Sequence, residues 1–111
     1  RRNASGACRI AVVIPALNEE ATLAQTLTTL RSQRPLPSDV LVVDGGSVDG
    51  TSKVVRQGGA RLLPGKRRGR ALQMNEGAAE ADGDVLLFLH ADTHLPNGAT
   101  AAIEAALADE A

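Results

Sequence analysis

Short apolar runs alternate with helical patterns along this chain, and that order limits the possible folds more than any other feature of the sequence. Uninterrupted apolar runs at residues 10–14 and 85–89, and a shorter one at 40–43, are typical of strands buried on both faces. A weaker fourth strand is expected at residues 60–63. Because helical patterns separate the runs, we predict a mostly parallel sheet with right-handed crossovers and helices on both faces.

Four helices are predicted to connect and follow these strands. Leu23, Leu27 and Leu30 recur at the spacing of one helix face, and Asn18 is a suitable N-cap before them. The remaining helices are expected over about residues 47–57, with Ser47 or Asp49 as the cap, over about 68–81, and from Pro96 onward.

The composition excludes some classes of partner. The 111 residues suit one domain, and 43% of them are hydrophobic, as in a globular protein. Phe88 is the only aromatic residue, so the chain lacks the stacking platform that single-stranded nucleic acid requires. A formal net charge of -1 gives no overall attraction to nucleic acid or to an anionic membrane. We therefore expect no nucleic-acid partner, and any phosphate must be bound by locally placed charges.

The cysteine count and the lengths of the apolar runs predict the cellular compartment. Cys8 is the only cysteine, so no intrachain disulfide can form. No apolar run approaches the roughly 18–20 residues of a membrane span. These features favour a cytoplasmic protein without a transmembrane segment.

Ligands of parallel sheets bind beyond the carboxyl ends of the strands, which selects three segments of this chain. The first follows Ile14 and exposes backbone groups and a carboxylate where a helix begins. The second begins with Asp44, directly after a buried strand, where a carboxylate can accept hydrogen bonds from a ribose or a base edge. Gly45 and Gly46 permit close approach of the backbone to a ligand. An ordinary tight turn explains these glycines equally well, but it explains the position of Asp44 less well.

The third segment, His90-Ala91-Asp92, follows the last strand. Side chains two positions apart in an extended segment point the same way, so His90 and Asp92 are expected to face one cleft. A single carboxylate can hold Mg²⁺ or Mn²⁺ when substrate phosphates supply the other ligands, although it is too little for a structural metal site. The alternative is a turn aspartate beside a partly buried histidine.

Five basic residues before the third helix suggest an anion site. Cationic side chains together with the N–H groups of a helix N-terminus suit a diphosphate. Arg70, at the start of the helix, is the preferred contact, whereas the others are also consistent with a solvated loop. The cluster comprises Arg61, Lys66, Arg67, Arg68 and Arg70.

Four motifs, in this order, resemble those of the family 2 glycosyltransferases, which have the GT-A fold. They read VIPALNE at residues 13–19, VVDGGSVDGT at 42–51, GRALQMNEG at 69–77 and GDVLLFLHAD at 83–92. The DGGS and HADT segments are similar to those of a bacterial subgroup of small, soluble members. The resemblance implies a three-layer, Rossmann-like α/β domain with a mostly parallel sheet. Residues 1–111 would form its nucleotide-sugar-binding part, incomplete at the C-terminus.

The resemblance also implies ligands and site residues. Donors in the family are UDP-, GDP- or dTDP-sugars, usually bound with Mg²⁺ or Mn²⁺, and Asp92 at the DxD position would hold the metal. The residues implied in nucleotide binding are Pro15, Ala16, Asn18, Glu19, Asp44, Gly46, Arg70, Asn75, His90 and Ala91.

Two departures from the family pattern remove carboxylates from the expected nucleotide and metal site. Gly45 stands where a second Asp usually follows the second strand, and His90 replaces the first Asp of DxD. The metal site therefore has one carboxylate fewer, which predicts weak metal affinity in the absence of nucleotide.

The sequence leaves the catalytic residue unassigned. The family's general base is a carboxylate further along, and nothing marks Glu104, Asp109 or Glu110 as that base. We therefore expect the donor half of an inverting enzyme, inactive on its own, with an unknown acceptor. One alternative is a nucleotidyltransferase-like enzyme, although the Gly-rich loop that such enzymes carry after the first strand is missing. Another is a non-catalytic nucleotide-binding or assembly domain, and an exposed apolar face would permit a homodimer.

Overall fold

The computed structural model describes residues 8–66 and 68–109, in which four strands alternate with four helices. The predicted order of elements is confirmed. Within these residues, no helix has both the length and the apolar character needed to cross a bilayer. The elements are β1 (Ile10–Ala16), α1 (Glu20–Arg31), β2 (Asp39–Asp44), α2 (Thr51–Gln57), β3 (Arg61–Pro64), α3 (Arg70–Glu80), β4 (Val85–Phe88) and α4 (Ala99–Asp109).

The strands pair in parallel throughout and lie in the order β3-β2-β1-β4. Along β1, Ile14 is paired with Val42 of β2, and Val13 is paired with Phe88 of β4. The chain therefore moves outward from β1 through β2 to β3 and then returns to the other side of β1. This reversal makes a topological switch point between β1 and β4, where open α/β sheets form a crevice at their carboxyl ends.

Adjacent residues of β1 face two different helical layers, because successive side chains of a strand point to opposite faces. Val12 and Ile14 belong to the larger core cluster, together with the α1 leucines that were predicted to share one helix face. Val13 belongs to a second cluster on the other face, where Gly77 of α3 lies against Val13 and Val43. The expected three-layer arrangement is therefore confirmed.

The segment after β4 passes along α1 before α4 begins. The Thr26 hydroxyl donates to the carbonyl oxygen of Ala91 at 2.7 Å. Further along, Gln33 Nε2 donates to the carbonyl oxygen of Pro96 at 3.0 Å, and Gln33 Oε1 accepts the Thr100 N–H. Since Gln33 follows the end of α1, α4 starts near the edge of the sheet opposite the carboxyl ends of the strands.

Three predicted helix starts differ in the structure. α4 begins at Ala99, three residues after Pro96, where it was predicted to start. α1 begins after Glu19 and has no side-chain cap, so the prediction that Asn18 caps it is wrong. α2 begins at Thr51, later than predicted, although Asp49 accepts the Thr51 N–H at 3.0 Å. For α1 and α2, the physical reason is that the loops before the two helices are hydrogen-bonded to each other.

Candidate functional site

A small cleft opens at the carboxyl end of β1, between the strand and the first turn of α3. Its volume is about 200 Å³. Four of the predicted nucleotide-binding residues come together in its lining, namely Pro15, Ala16, Glu19 and Arg70. The lining residues are Pro15, Ala16, Leu17, Glu19, Gly69, Arg70 and Gln73.

Asn18 does not line this cleft, because it joins the loops that follow β1 and β2. Its backbone N–H donates to Ser47 Oγ at 2.8 Å, and its Oδ1 accepts the Val48 N–H at 2.9 Å. Its backbone is left-handed, with φ of 54°, a conformation that asparagine tolerates better than most residues. The structure thus gives Asn18 a loop-joining position rather than a place in the cleft.

Three further hydrogen bonds join the same two loops. The Glu19 N–H donates to Thr51 Oγ1 at 2.9 Å, the Glu20 N–H donates to Asp49 Oδ2 at 3.2 Å, and Glu20 Oε1 accepts the Gly50 N–H at 3.0 Å. The Thr51 hydroxyl also donates to Asp49, and this bond lowers the pKa of that carboxyl below its ordinary value. The loops at the carboxyl ends of β1 and β2 are therefore held as one rigid unit.

Asp44 ends β2 and is half-buried in this unit. Its Oδ1 accepts both the N–H of Ser47, at 3.0 Å, and the Ser47 hydroxyl. Gly46 follows with φ of 103°, which L side chains rarely adopt. Arg68 lies over the same loop, since its Nε donates to the carbonyl oxygen of Gly45 at 3.2 Å. Asp44 and Gly46 thus lie beside the cleft rather than in its lining. Arg68 lies next to them, although its sequence position was also consistent with a solvated loop.

The basic cluster is divided between the two edges of the sheet. Arg61 begins β3, and its guanidinium donates to the two carboxylate oxygens of Asp39 at 3.0 and 2.7 Å. The expectation that Arg61 shares an anion site with Arg70 is therefore wrong, because the amino and carboxyl ends of parallel strands lie at opposite edges. Of the other members, Arg68 and Arg70 are at the carboxyl edge, Lys66 is exposed, and Arg67 lies outside the described residues.

His90 and Asp92 follow β4 in a turn rather than in an extended segment. The Thr93 N–H donates to the carbonyl oxygen of His90 at 3.1 Å, and the His90 N–H donates to Thr93 Oγ1. The argument that side chains two apart face the same way therefore fails here. Both side chains are exposed, whereas Ala91 between them is buried. The described residues contain no cluster of three or more metal-binding side chains.

Asn75 faces a different part of the surface from Arg70. It lines a cleft of about 210 Å³ with Lys66, Leu72 and Glu76. Five positions along a helix correspond to a rotation of about 140°, so Arg70 and Asn75 point in different directions. The structure therefore does not bring Asn75 to the cleft at β1.

A larger cleft of about 420 Å³ lies at the amino edge of the sheet, beside Asp39 and Arg61. The hydrogen bond from Arg61 lowers the pKa of Asp39, and the same bond raises the pKa of Arg61. The charges of Asp39 and Arg61 thus neutralise each other. Because parallel sheets bind ligands at their carboxyl ends, we assign the candidate site to the smaller cleft.

Gln73 is a site residue that was not predicted from the sequence. It is 4% exposed, lines the cleft and donates from Nε2 to the carbonyl oxygens of Ala16 and Val43. One signal was available: Gln73 precedes Gly77 by four positions, so a polar residue shares the helix face that packs on the sheet.

Comparison with known proteins identifies relatives of this chain. Residues 11–110 match the model of glycosyl transferase family 2. Glycosyltransferase AglE of Haloferax volcanii is 33% identical over 91 residues, which are 75% of this chain and 30% of the relative. Glucosyl-3-phosphoglycerate synthase of Petrotoga mobilis is 27% identical over 96 residues, which are 76% of this chain and 30% of the relative.

Solved structures of glucosyl-3-phosphoglycerate synthase from Mycobacterium tuberculosis share the fold. The superposition on one of them includes 81% of this chain and 37% of the synthase, with a TM-score of 0.71 and 29% identity. A complex of that synthase with Mn²⁺, UDP and glucosyl-3-phosphoglycerate covers 78% of this chain and 36% of the synthase, at 29% identity and a TM-score of 0.67. The chain thus spans about a third of the length of these relatives. Because the family model covers nearly the whole sequence and the fold is GT-A, as expected, this chain belongs to glycosyltransferase family 2.

Proposed function

We propose that this chain binds the nucleoside diphosphate of a sugar donor at the end of β1, within an enzyme that transfers the sugar with inversion. The supporting observation is that Glu19 and Arg70 line one cleft together with Pro15 and Ala16. An arginine at a helix N-terminus suits phosphate oxygens, and a carboxylate suits hydroxyl groups. Support also comes from the M. tuberculosis synthase, whose structures contain UDP with Mn²⁺ or with Mg²⁺.

Asp44 is proposed to contact the ribose or the base. Its Oδ1 is fixed by Ser47, so the carboxylate is held in one orientation and Oδ2 stays available as an acceptor. Arg68, over the same loop, and Arg70, in the cleft, are proposed to neutralise the two phosphates. Gly46 would let the backbone approach the nucleoside closely.

Asp92 is proposed as the metal ligand, with His90 and Ala91 close to the ribose or the phosphates. A single exposed carboxylate fits Mg²⁺ or Mn²⁺, because these ions keep several waters and accept phosphate oxygens as further ligands. A bound ion would stabilise the negative charge of the departing diphosphate. The protein's own contribution is to hold the Asp92 turn against α1 through the bond from the Thr26 hydroxyl to the carbonyl oxygen of Ala91.

The acceptor and the general base are not assigned to any residue. Glu104 lies in α4, which starts near the opposite edge of the sheet, and Glu110 lies outside the described residues. Donor binding is therefore the part of the reaction that we propose for these residues. The cytoplasmic location and the homodimer stay predictions.

Calorimetric titration of the protein with UDP and with GDP, each with and without Mn²⁺, tests this proposal. We expect binding of at least one nucleotide that strengthens with Mn²⁺. Replacing Arg70 with alanine should weaken it on the order of tenfold. The matched control is Arg56→Ala, which removes an exposed arginine from the last turn of α2, away from the cleft. Absence of metal-dependent binding to either nucleotide, or equal losses in the two variants, would contradict the proposal.

A further inference from the structure

Gln73 connects three elements at the base of the candidate cleft through one side chain. Its Nε2 donates to the carbonyl oxygen of Ala16 at 3.1 Å and to that of Val43 at 2.8 Å, so both amide hydrogens are used. Its Oε1 accepts the N–H of Gly69, just before α3, at 3.3 Å. A single buried amide thus ties the ends of β1 and β2 to the start of the helix that carries Arg70.

Gly45 leaves the space that the Gln73 amide occupies. A Cβ atom at position 45 would lie 3.0 Å from Gln73 Oε1 and 3.2 Å from both Cδ and Nε2. Gly45 is buried and does not have the positive φ that Gly46 has, so its backbone conformation alone does not call for glycine. The glycine at position 45 is therefore explained by contact with Gln73 and not by the turn.

We propose that Gln73 is the positioning residue of the donor cleft and that Gly45 is its coupled partner. This inference rests on the proposed donor binding at that cleft. The amide sets the separation between the end of β1 and the first turn of α3, which is the width of the cleft that contains Arg70. Because the amide is neutral, it adds no negative charge beside the proposed position of the donor phosphates. The same contact restricts position 45, since a Cβ atom there would force the amide to move by a few tenths of an ångström.

The decisive variant is Gln73→Met, which keeps an unbranched side chain of similar length but removes all three hydrogen bonds. We expect it to remain folded and to bind UDP on the order of tenfold more weakly than the unaltered protein, in calorimetry with Mn²⁺ well below its melting temperature. Gln57→Ala, at the exposed end of α2, is the matched control and should leave binding unchanged.

A double-mutant cycle tests the coupling of the two residues. Gly45→Ala alone should weaken UDP binding, because its Cβ displaces the Gln73 amide. In the background of Gln73→Ala, which vacates that space, Gly45→Ala should cause no further loss. The amide NMR signals of Gly69 and Arg70 should shift when UDP is added to the unaltered protein and should shift much less in Gln73→Met.

The outcomes distinguish this inference from the proposed function. If the unaltered protein binds UDP or GDP and Gln73→Met binds that nucleotide equally well, the positioning role is overturned while donor binding stands. The same holds if the losses from Gly45→Ala and Gln73→Ala add. If the unaltered protein binds neither UDP nor GDP, the proposed function fails, and the positioning role fails with it.

Discussion

Asn18 shows at the scale of one residue how the backbone conformation and the hydrogen bonds of a loop select a side chain. Its φ of 54° disfavours most L residues, and its Oδ1 accepts the N–H of Val48, thirty positions along the chain. Glycine would satisfy the first requirement alone, and alanine would satisfy neither.

The stability of Asn18 variants should therefore fall in a fixed order. Asn18→Gly should cost about 1 kcal/mol through the lost hydrogen bond. Asn18→Ala should cost about 1 kcal/mol more, because alanine is strained in the left-handed region. Urea unfolding followed by circular dichroism would measure both changes. Asn97→Ala, at an exposed loop position, is the control and should be neutral; Asn18→Ala more stable than Asn18→Gly would contradict the argument.

Asp92 offers a second test at a single residue. Replacing it with alanine should remove the part of UDP binding that depends on Mn²⁺, so that affinity with metal falls to the affinity without metal. The melting temperature should be unchanged, because the side chain is exposed. His94→Ala, two positions along the same loop, is the control. Full metal dependence in Asp92→Ala would place the ion elsewhere.

At the scale of elements, the contact of α3 with the sheet depends on one glycine. A Cβ atom at Gly77 would overlap Val13 Cγ1 and lie 2.9 Å from Val43 Cγ2. Both valines are buried and β-branched, so their side chains cannot easily rotate away. The helix approaches the strands this closely only because position 77 has no side chain.

Gly77→Ala should accordingly destabilise the protein, by about 1 kcal/mol. Overpacking typically costs about 1–3 kcal/mol, whereas the higher helix propensity of alanine returns at most about 1 kcal/mol. Chemical unfolding would measure the difference. Ala79→Ser, which adds one atom on the exposed side of the same helix, should change stability much less. A stabilised Gly77→Ala would mean that α3 does not pack on the sheet as described.

The elements themselves were predictable, because burial on both faces leaves uninterrupted apolar runs such as residues 10–14. The contacts between loops were not, because Asn18 and Gln73 bond to groups about thirty or more positions away. A local pattern gave Asn18 the properties of a cap. It placed Gln73 on the helix face of Gly77 but did not show which groups its amide bonds to. The turn at His90 could not be predicted either. An apolar strand followed by polar residues does not show at which residue the extended backbone ends.

At the scale of the whole molecule, the two edges of the sheet use their charges differently. At the amino edge, charged groups neutralise each other: Arg9 contacts Asp82 and Asp84, and Arg61 contacts Asp39. At the carboxyl edge, Arg70 lies in a cleft and has no ion-pair partner within the described residues. The amino edge therefore contributes to stability, and the carboxyl edge retains charge that a ligand can use.

The Asp39–Arg61 pair makes this division measurable through pH. The hydrogen bond from Arg61 lowers the pKa of Asp39 below its ordinary value of 3.8, and burial opposes that change only in part. A carboxyl whose pKa is lower in the folded state stabilises the protein fully above its unfolded pKa and loses this contribution as the pH falls through its folded pKa. Asp39→Asn should therefore destabilise the protein at pH 7, by about 1 kcal/mol, and much less near pH 3.

Urea unfolding of the unaltered protein and of Asp39→Asn, at pH 7 and at pH 3, would measure the change in the free energy of unfolding. Asp82→Asn is the control. The Asp82 side chain is 75% exposed, so its pair with Arg9 should contribute little at either pH. An equal cost of Asp39→Asn at pH 7 and pH 3 would show that the carboxylate's charge does not stabilise this edge.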